Sequence, residues 1–292
     1  MDRDHPLRQA LPLILLSGAF FATLDVTGKF LIQVHAVLLV VWARYLGQML
    51  FAVAIGARRL GRGFWRTHHL RMQLVRALCL LGSSWCFVAS LRFLPLAEGT
   101  AIAFLAPMFA IVMSIPVLGE RPTRARWLAA IAGFTGILLL VRPGGSVFHP
   151  AAALMAFSAL CNAMYQLLTR RVPLDRPETT LFYTSTVGAV VLSALLPTID
   201  LPRLPEAREW AMFAALGVLG GLGHWCLIAA FVRAPASLLA PFTYTHLLWS
   251  TIYGFLVFGH FPDALSVLGM AVIIGSGVGL GLHERRRSMM RS

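Results

Sequence analysis

Charge is scarce in this sequence: 13% of its 292 residues are Asp, Glu, Lys or Arg, against roughly 25% in an ordinary soluble domain. Water is therefore excluded as the main solvent of the chain. Acidic residues are the rarest part of that charge, 12 against 25 basic ones. No G-x-x-x-x-G-K-[ST] loop is present to cradle a nucleotide, which argues against ATP-driven work. Cysteines number four, and Cys79, Cys86, Cys161 and Cys226 all fall inside apolar runs without disulfide or metal-ligand spacing. No metal and no cofactor are expected. The sequence also leaves no hydrophilic stretch long enough for a separate soluble domain.

Apolar residues fill that space, with 58% of the chain hydrophobic and a mean hydropathy of +0.75. A bilayer core about 30 Å thick takes roughly 20 apolar residues per helix, so the expectation is an all-α membrane protein of about ten transmembrane helices. The candidate spans are 10–30, 36–56, 72–91, 99–118 and 124–141, followed by 151–169, 180–196, 210–231, 237–258 and 264–282. The first run follows Arg3 and Arg8 as a signal peptide would, yet it contains Asp25 and Lys29 and no convincing cleavage site follows it. It is expected to stay as a helix.

The formal charge of +13 is distributed in short clusters between apolar runs, so nucleic acid is not an expected partner. Counted by alternate loops, 18 basic residues fall on the side of both termini and 5 on the other, with Arg44 and Arg76 inside helices two and three. The positive-inside rule then predicts both termini in the cytoplasm of a bacterial-type inner membrane.

Residues Leu96 to Pro122 lie on Ala236 to Pro262 without a gap, an offset of 140 that sets Phe104 on Tyr244. A one-residue slip then sets Gly136 on Gly275. A five-helix unit has an odd number of crossings, so its second copy must be inverted, a construction common in transporters. The expected units are 1–143 and 148–283, with a basic cytoplasmic tail over 284–292.

Several polar groups sit where lipid or packed helices would surround them. Asp25 is the one carboxylate well inside an expected span, and such a group suggests a coupling-ion or proton site unless it merely pairs with Lys29 one turn on. Arg44 suits either an anionic solute group or a cross-link through backbone carbonyls. Arg76, nearer a helix end, is expected only to extend toward the cytoplasmic interface. Asn162, Tyr165, Gln166 and Thr169 share one helix face, and His246, Trp249, Ser250 and Tyr253 share another. These stripes either bind solute or hydrogen-bond neighbouring helices. Tyr244 follows the helix-interrupting Pro241. Trp85 and His224 complete the candidate substrate-binding set, with packing roles as their alternative. Pro107 and Pro241 interrupt helices four and nine, and Gly217, Gly220, Gly221 and Gly223 suggest close helix approach or local bending.

The segments Leu94-Pro95-Leu96-Ala97, Leu105-Ala106-Pro107 and Leu118-Gly119-Glu120-Arg121 resemble the drug/metabolite transporter superfamily, specifically its EamA-type ten-helix members. So do Thr180-Leu181-Phe182-Tyr183, residues 233–244 and residues 258–263, where His260 replaces the usual Glu. The resemblance implies two inverted repeats, a central cavity and alternating access. Its wording is similar to a subgroup with riboflavin or S-adenosylmethionine uptake proteins and exporters of amino acids or metal chelators. The expected function is secondary transport of a small organic metabolite, an amino acid, vitamin or nucleoside-like solute, with a proton as candidate coupling ion. The expected protein is a monomer or homodimer in contact with membrane lipids, and not an enzyme. An intramembrane enzyme on lipid-linked substrates, a channel and a non-transporting subunit are the competing readings. The enzyme would need convergent acid, base or metal groups that this sequence lacks.

Overall fold

The computed structural model describes residues 5–61, 63–119, 122–142, 147, 149–169, 176–198, 205–233, 239 and 242–289. Helices are the only regular structure among them, as expected for a chain whose backbone groups must be satisfied within each span. The first half contains α1 (His5–Leu31), α2 (Val37–Leu60), α3 (Leu70–Ser90), α4 (Leu96–Ala103), α5 (Ala106–Leu118) and α6 (Arg124–Val141). The second half contains α7 (Pro150–Thr169), α8 (Pro177–Leu195), α9 (Ala207–Arg233), α10 (Thr245–Phe258) and α11 (Ala264–Met289).

Among the described residues, nine stretches are long and apolar enough to cross a membrane, with α4 and α5 together forming one of them; α10, at 14 residues, is shorter. The start of the expected ninth span, including Pro241, lies outside the described residues. So do Glu120, Arg121, the expected unit boundaries at 143 and 148, and the end of the basic tail. Pro107 acts less as an interruption than as a start. The chain turns at Phe104 and Leu105, and Pro107 then occupies the first turn of α5, where its missing N–H costs nothing.

The outer face is apolar and the seams are small. On α6, Leu128, Ile131, Phe134 and Leu138 recur at helical spacing and are all more than half exposed, a stripe suited to lipid and not to water. Between α2 and α9 the backbones touch: a Cβ added to Gly47 would stand 2.5 Å from the Cα of Gly217. Gly136 and Gly269 bring α6 and α11 together in the same way.

The largest helix–helix contacts are related by exchange of the two halves. α1 packs on α9 as α7 packs on α3, α2 on α9 as α8 on α3, and α1 on α10 as α7 on α5. The pairs α2–α8 and α6–α11 are each their own counterpart. Gly119 and Gly259, both in the left-handed region and both closing a helix, sit 140 residues apart. The fold is thus two inverted five-span halves around a pseudo-two-fold axis.

Candidate functional site

Near that axis the repeat mates Phe104 and Tyr244 stack on each other, ring centroids 4.8 Å apart and planes 24° off parallel. Tyr244 lies against Gly277, where any side chain would collide with its hydroxyl. His246, on the first turn of α10, stands 6.2 Å from both the Phe104 and Phe21 rings. Its Nε2 lies 3.0 Å from Oδ2 of the buried Asp25. His224 on α9 meets Phe21 edge-on at 4.9 Å. Residues from α1, α4, α9 and α10 thereby form an aromatic and imidazole cluster with one carboxylate. An imidazole–carboxylate pair can exchange a proton, and the rings offer faces to a planar solute.

Beside this cluster is a small cavity of about 10 Å³, room for about one water molecule, lined by Leu24, Asp25, Gly28, Val40, Arg44 and Leu216 among others. Arg44 interacts electrostatically with His224 and Tyr45. Its Nε is buried with no hydrogen-bond partner, and the residue forms no hydrogen bond or ion pair among the described residues. The carbonyl cross-link expected as its bland role is therefore not formed.

Lys29 is not the partner of Asp25. Its ammonium donates to the carbonyls of Leu91, at 2.7 Å, and Leu94, and it sits 5.5 Å from the Phe258 ring. One turn of helix separates the two in sequence, but the loop ending α3 captures the lysine and α10 brings His246 to the aspartate. Asp25 is also not the only deeply placed carboxylate. Glu98, in the first turn of α4, is fully buried, with Oε1 3.1 Å from His260 Nε2. The sequence carried a signal for it, since the apolar run from Leu96 to Leu118 encloses Glu98.

On the other side of the bundle, Arg76 is fully buried and does not reach out to an interface. It donates to Thr169 Oγ1 at 3.1 Å, Gln73 Oε1 at 2.8 Å, Thr180 O at 3.0 Å and Thr184 Oγ1 at 2.9 Å, and lies 5.0 Å from the Tyr165 ring. The α7 stripe is therefore split. Tyr165 and Thr169 face Arg76, whereas Gln166 is exposed and donates to Asn162 along its own helix. Neither Asn162 nor Gln166 lines the cavity. Trp85 is partly buried against the core, and Trp249 packs on Tyr253 at 5.8 Å. The glycines of α9 serve close approach: Gly220 faces Gln48, Gly221 faces Phe51 and Gly223 faces Phe21.

Two inverted halves enclosing a partly polar cavity in an apolar exterior define a polytopic membrane protein of transporter type. The chain belongs to the EamA-like transporter family, which matches residues 8–142 and 149–281. It is 29% identical over 231 residues to a riboflavin transporter of Rhizobium johnstonii, covering 79% of this chain and 76% of that one. A riboflavin transporter of Vibrio cholerae is 27% identical, with 98% and 97% covered. An S-adenosylmethionine uptake transporter of Rickettsia prowazekii is 25% identical, with 78% and 77% covered. One protein crystal structure superposes with a TM-score of 0.69 at 19% identity, over 98% of this chain and 99% of that one, and so shares the fold.

Proposed function

We propose that this protein carries a small organic metabolite, an amino acid, vitamin or nucleoside-like solute, across a bacterial cytoplasmic membrane by alternating access. The observation that carries the reading is the cavity between α1, α2, α3 and α9, which places Asp25 and Arg44 beside the aromatic cluster. Relatives named as riboflavin and S-adenosylmethionine transporters support a small, partly planar cargo. Solute rests against Phe21, Phe104, Tyr244 and His246, with Arg44 reaching from the side. The Asp25–His246 pair exchanges the coupling proton, since binding a proton there breaks or remakes a link between α1 and α10. Both termini and the arginine-rich loops face the cytoplasm, which puts the cavity nearer the outer side. Transport, not catalysis, is the activity. The two units are 1–143 and 148–283, followed by a basic tail over 284–292.

The test is counterflow in proteoliposomes with labelled riboflavin, S-adenosylmethionine and a set of amino acids. Saturable exchange of one solute is expected. Asp25→Asn should keep exchange and lose accumulation driven by a pH gradient. Absence of exchange for every solute would count against the cargo class, and pH-driven accumulation that survives Asp25→Asn would sink the coupling role.

A further inference from the structure

The two halves correspond residue by residue, and the correspondence reaches the polar groups. Ser17 Oγ donates to Gly223 O at 3.0 Å, and Ser158 Oγ donates to Ser83 O at 2.7 Å. These bonds are counterparts, with α1 laid on α7 at an offset of 141 and α3 on α9 at 140. The offset of 140 also holds for α4 and α5 on the second half, and α2 falls on α8 with it.

In these registers the cavity residues Leu24, Gly28, Val40, Arg44 and Leu216 fall on Tyr165, Thr169, Thr180, Thr184 and Arg76. The second set is Arg76 together with every partner it has on α7 and α8 named above. α1 and α7 are five crossings apart and run oppositely through the membrane, so the two places lie toward opposite faces. One of the two keeps a small cavity beside its arginine. Its counterpart is filled by a guanidinium and closed by three threonines.

Each vestibule owns one arginine, supplied from a different helix: Arg44 on α2, where the counterpart is Thr184, and Arg76 on α3, where the counterpart is Leu216. A guanidinium cannot shed its proton, so at membrane depth its charge requires hydrogen bonds or an anion. Arg76 has them from the protein. Arg44 has none among the described residues, and although Asp25 shares its cavity, the contact made by that carboxylate is with His246. We propose that the two arginines hold the same anionic group of the solute, a carboxylate or a phosphate, in turn. Arg44 takes it while its vestibule is open. Arg76 takes it when the opposite face opens and the threonines of α7 and α8 draw away from α3. The proposal rests on the alternating-access reading and narrows the cargo to solutes with such a group.

The full chain in lipid nanodiscs is labelled with phenylglyoxal, an arginine reagent, and each arginine's modification is read by mass spectrometry. Probes are benzoate, its neutral isostere benzamide, and inorganic phosphate. Arg44 is expected to react and Arg76 to stay inert. Benzoate or phosphate should slow Arg44 labelling several-fold, and whichever does so assigns the anion, while benzamide has no effect. Protection by benzamide equal to that by benzoate, or protection by neither anion, overturns the site. Thr169→Val with Thr184→Val removes two side-chain partners of Arg76, which should then react and gain anion protection. If that pair does not fold, Thr169→Val alone carries the test. An Arg76 that stays inert while Arg44 reacts at its wild-type rate would overturn the exchange between arginines and make Arg76 a fixed cross-link. Labelling needs no transport, so its failure and a failure of counterflow are separate results.

Discussion

Lys29 ends its helix with its ammonium on two carbonyls and near the buried Glu98, so it compensates both the end of α3 and a carboxylate. Hydrogen bonds to charged groups contribute about 1.5–3 kcal/mol each. Lys29→Met should therefore lower the thermal midpoint in detergent micelles clearly, and adding Glu98→Gln should recover part of the loss by removing the uncompensated charge. Recovery of nothing would mean that the lysine and Glu98 act independently. Gly277→Ala makes a second prediction at this scale. The added methyl would fall 1.7 Å from the Tyr244 hydroxyl, so Tyr244 must leave its stack on Phe104, and solute exchange should weaken while the protein still inserts. Which residues carried polarity into the bundle was legible in the sequence for Asp25, Arg44, Tyr165 and His246. Their pairing was not, because a helical spacing of four offers Asp25 a partner in Lys29 but says nothing of His246, 221 residues away. Glu98 escaped because it stands one residue before the expected span, at Gly99.

Between elements, two kinds of contact hold the halves together, and they respond to different perturbations. Backbone contact of Gly47 with Gly217 leaves no room for a side chain, so Gly47→Val should force α2 and α9 apart at a cost of about 1–3 kcal/mol, as overpacking does elsewhere. Unfolding titrations of the purified protein would measure it. The second contact is electrostatic. Asp263 caps α11 by accepting from Ser266 N at 2.8 Å and pairs with Arg142 at 2.5 Å, beyond the end of α6. The Ser266 backbone N–H, then Arg142, hold its carboxyl down from 3.8 to about 2. A depressed acid stabilises the fold above its unfolded value and loses that contribution as pH falls through the folded one. The gap in thermal midpoint between wild type and Asp263→Asn should thus stay constant near neutrality and close as pH falls from 3.8 toward about 2. Helix positions were legible because long apolar runs bounded by Arg and Pro leave little choice. The turn at Phe104 and Leu105 was displaced from the expected site because proline favours a helix's first turn, so the break precedes Pro107.

For the molecule as a whole, the repeat was readable from a constant offset, and so was the inversion that five crossings impose. Which of the two equivalent arginines is held by the protein was not readable, because it depends on Arg76 finding Thr169, Thr180 and Thr184 at once, a coincidence of three helices. Sidedness joins these facts to function. The basic residues divide 18 to 5 between alternate loops, and loops rich in Arg stay in the cytoplasm. If that holds, α3 begins and α7 ends on the cytoplasmic side, so Arg76 closes the inner route while Arg44 faces the outer one. Reporter fusions test this directly: a fluorescent protein that folds only in the cytoplasm should light up after Gly61 and after Ser292, and alkaline phosphatase, active only outside, should be active after Arg142. The reverse pattern would exchange the roles of the two arginines, making Arg76 the outer closure and the present cavity an opening to the cytoplasm. The chain would then be captured in the state that loads or releases solute inside the cell, and benzoate added from the cytoplasmic side alone would protect Arg44.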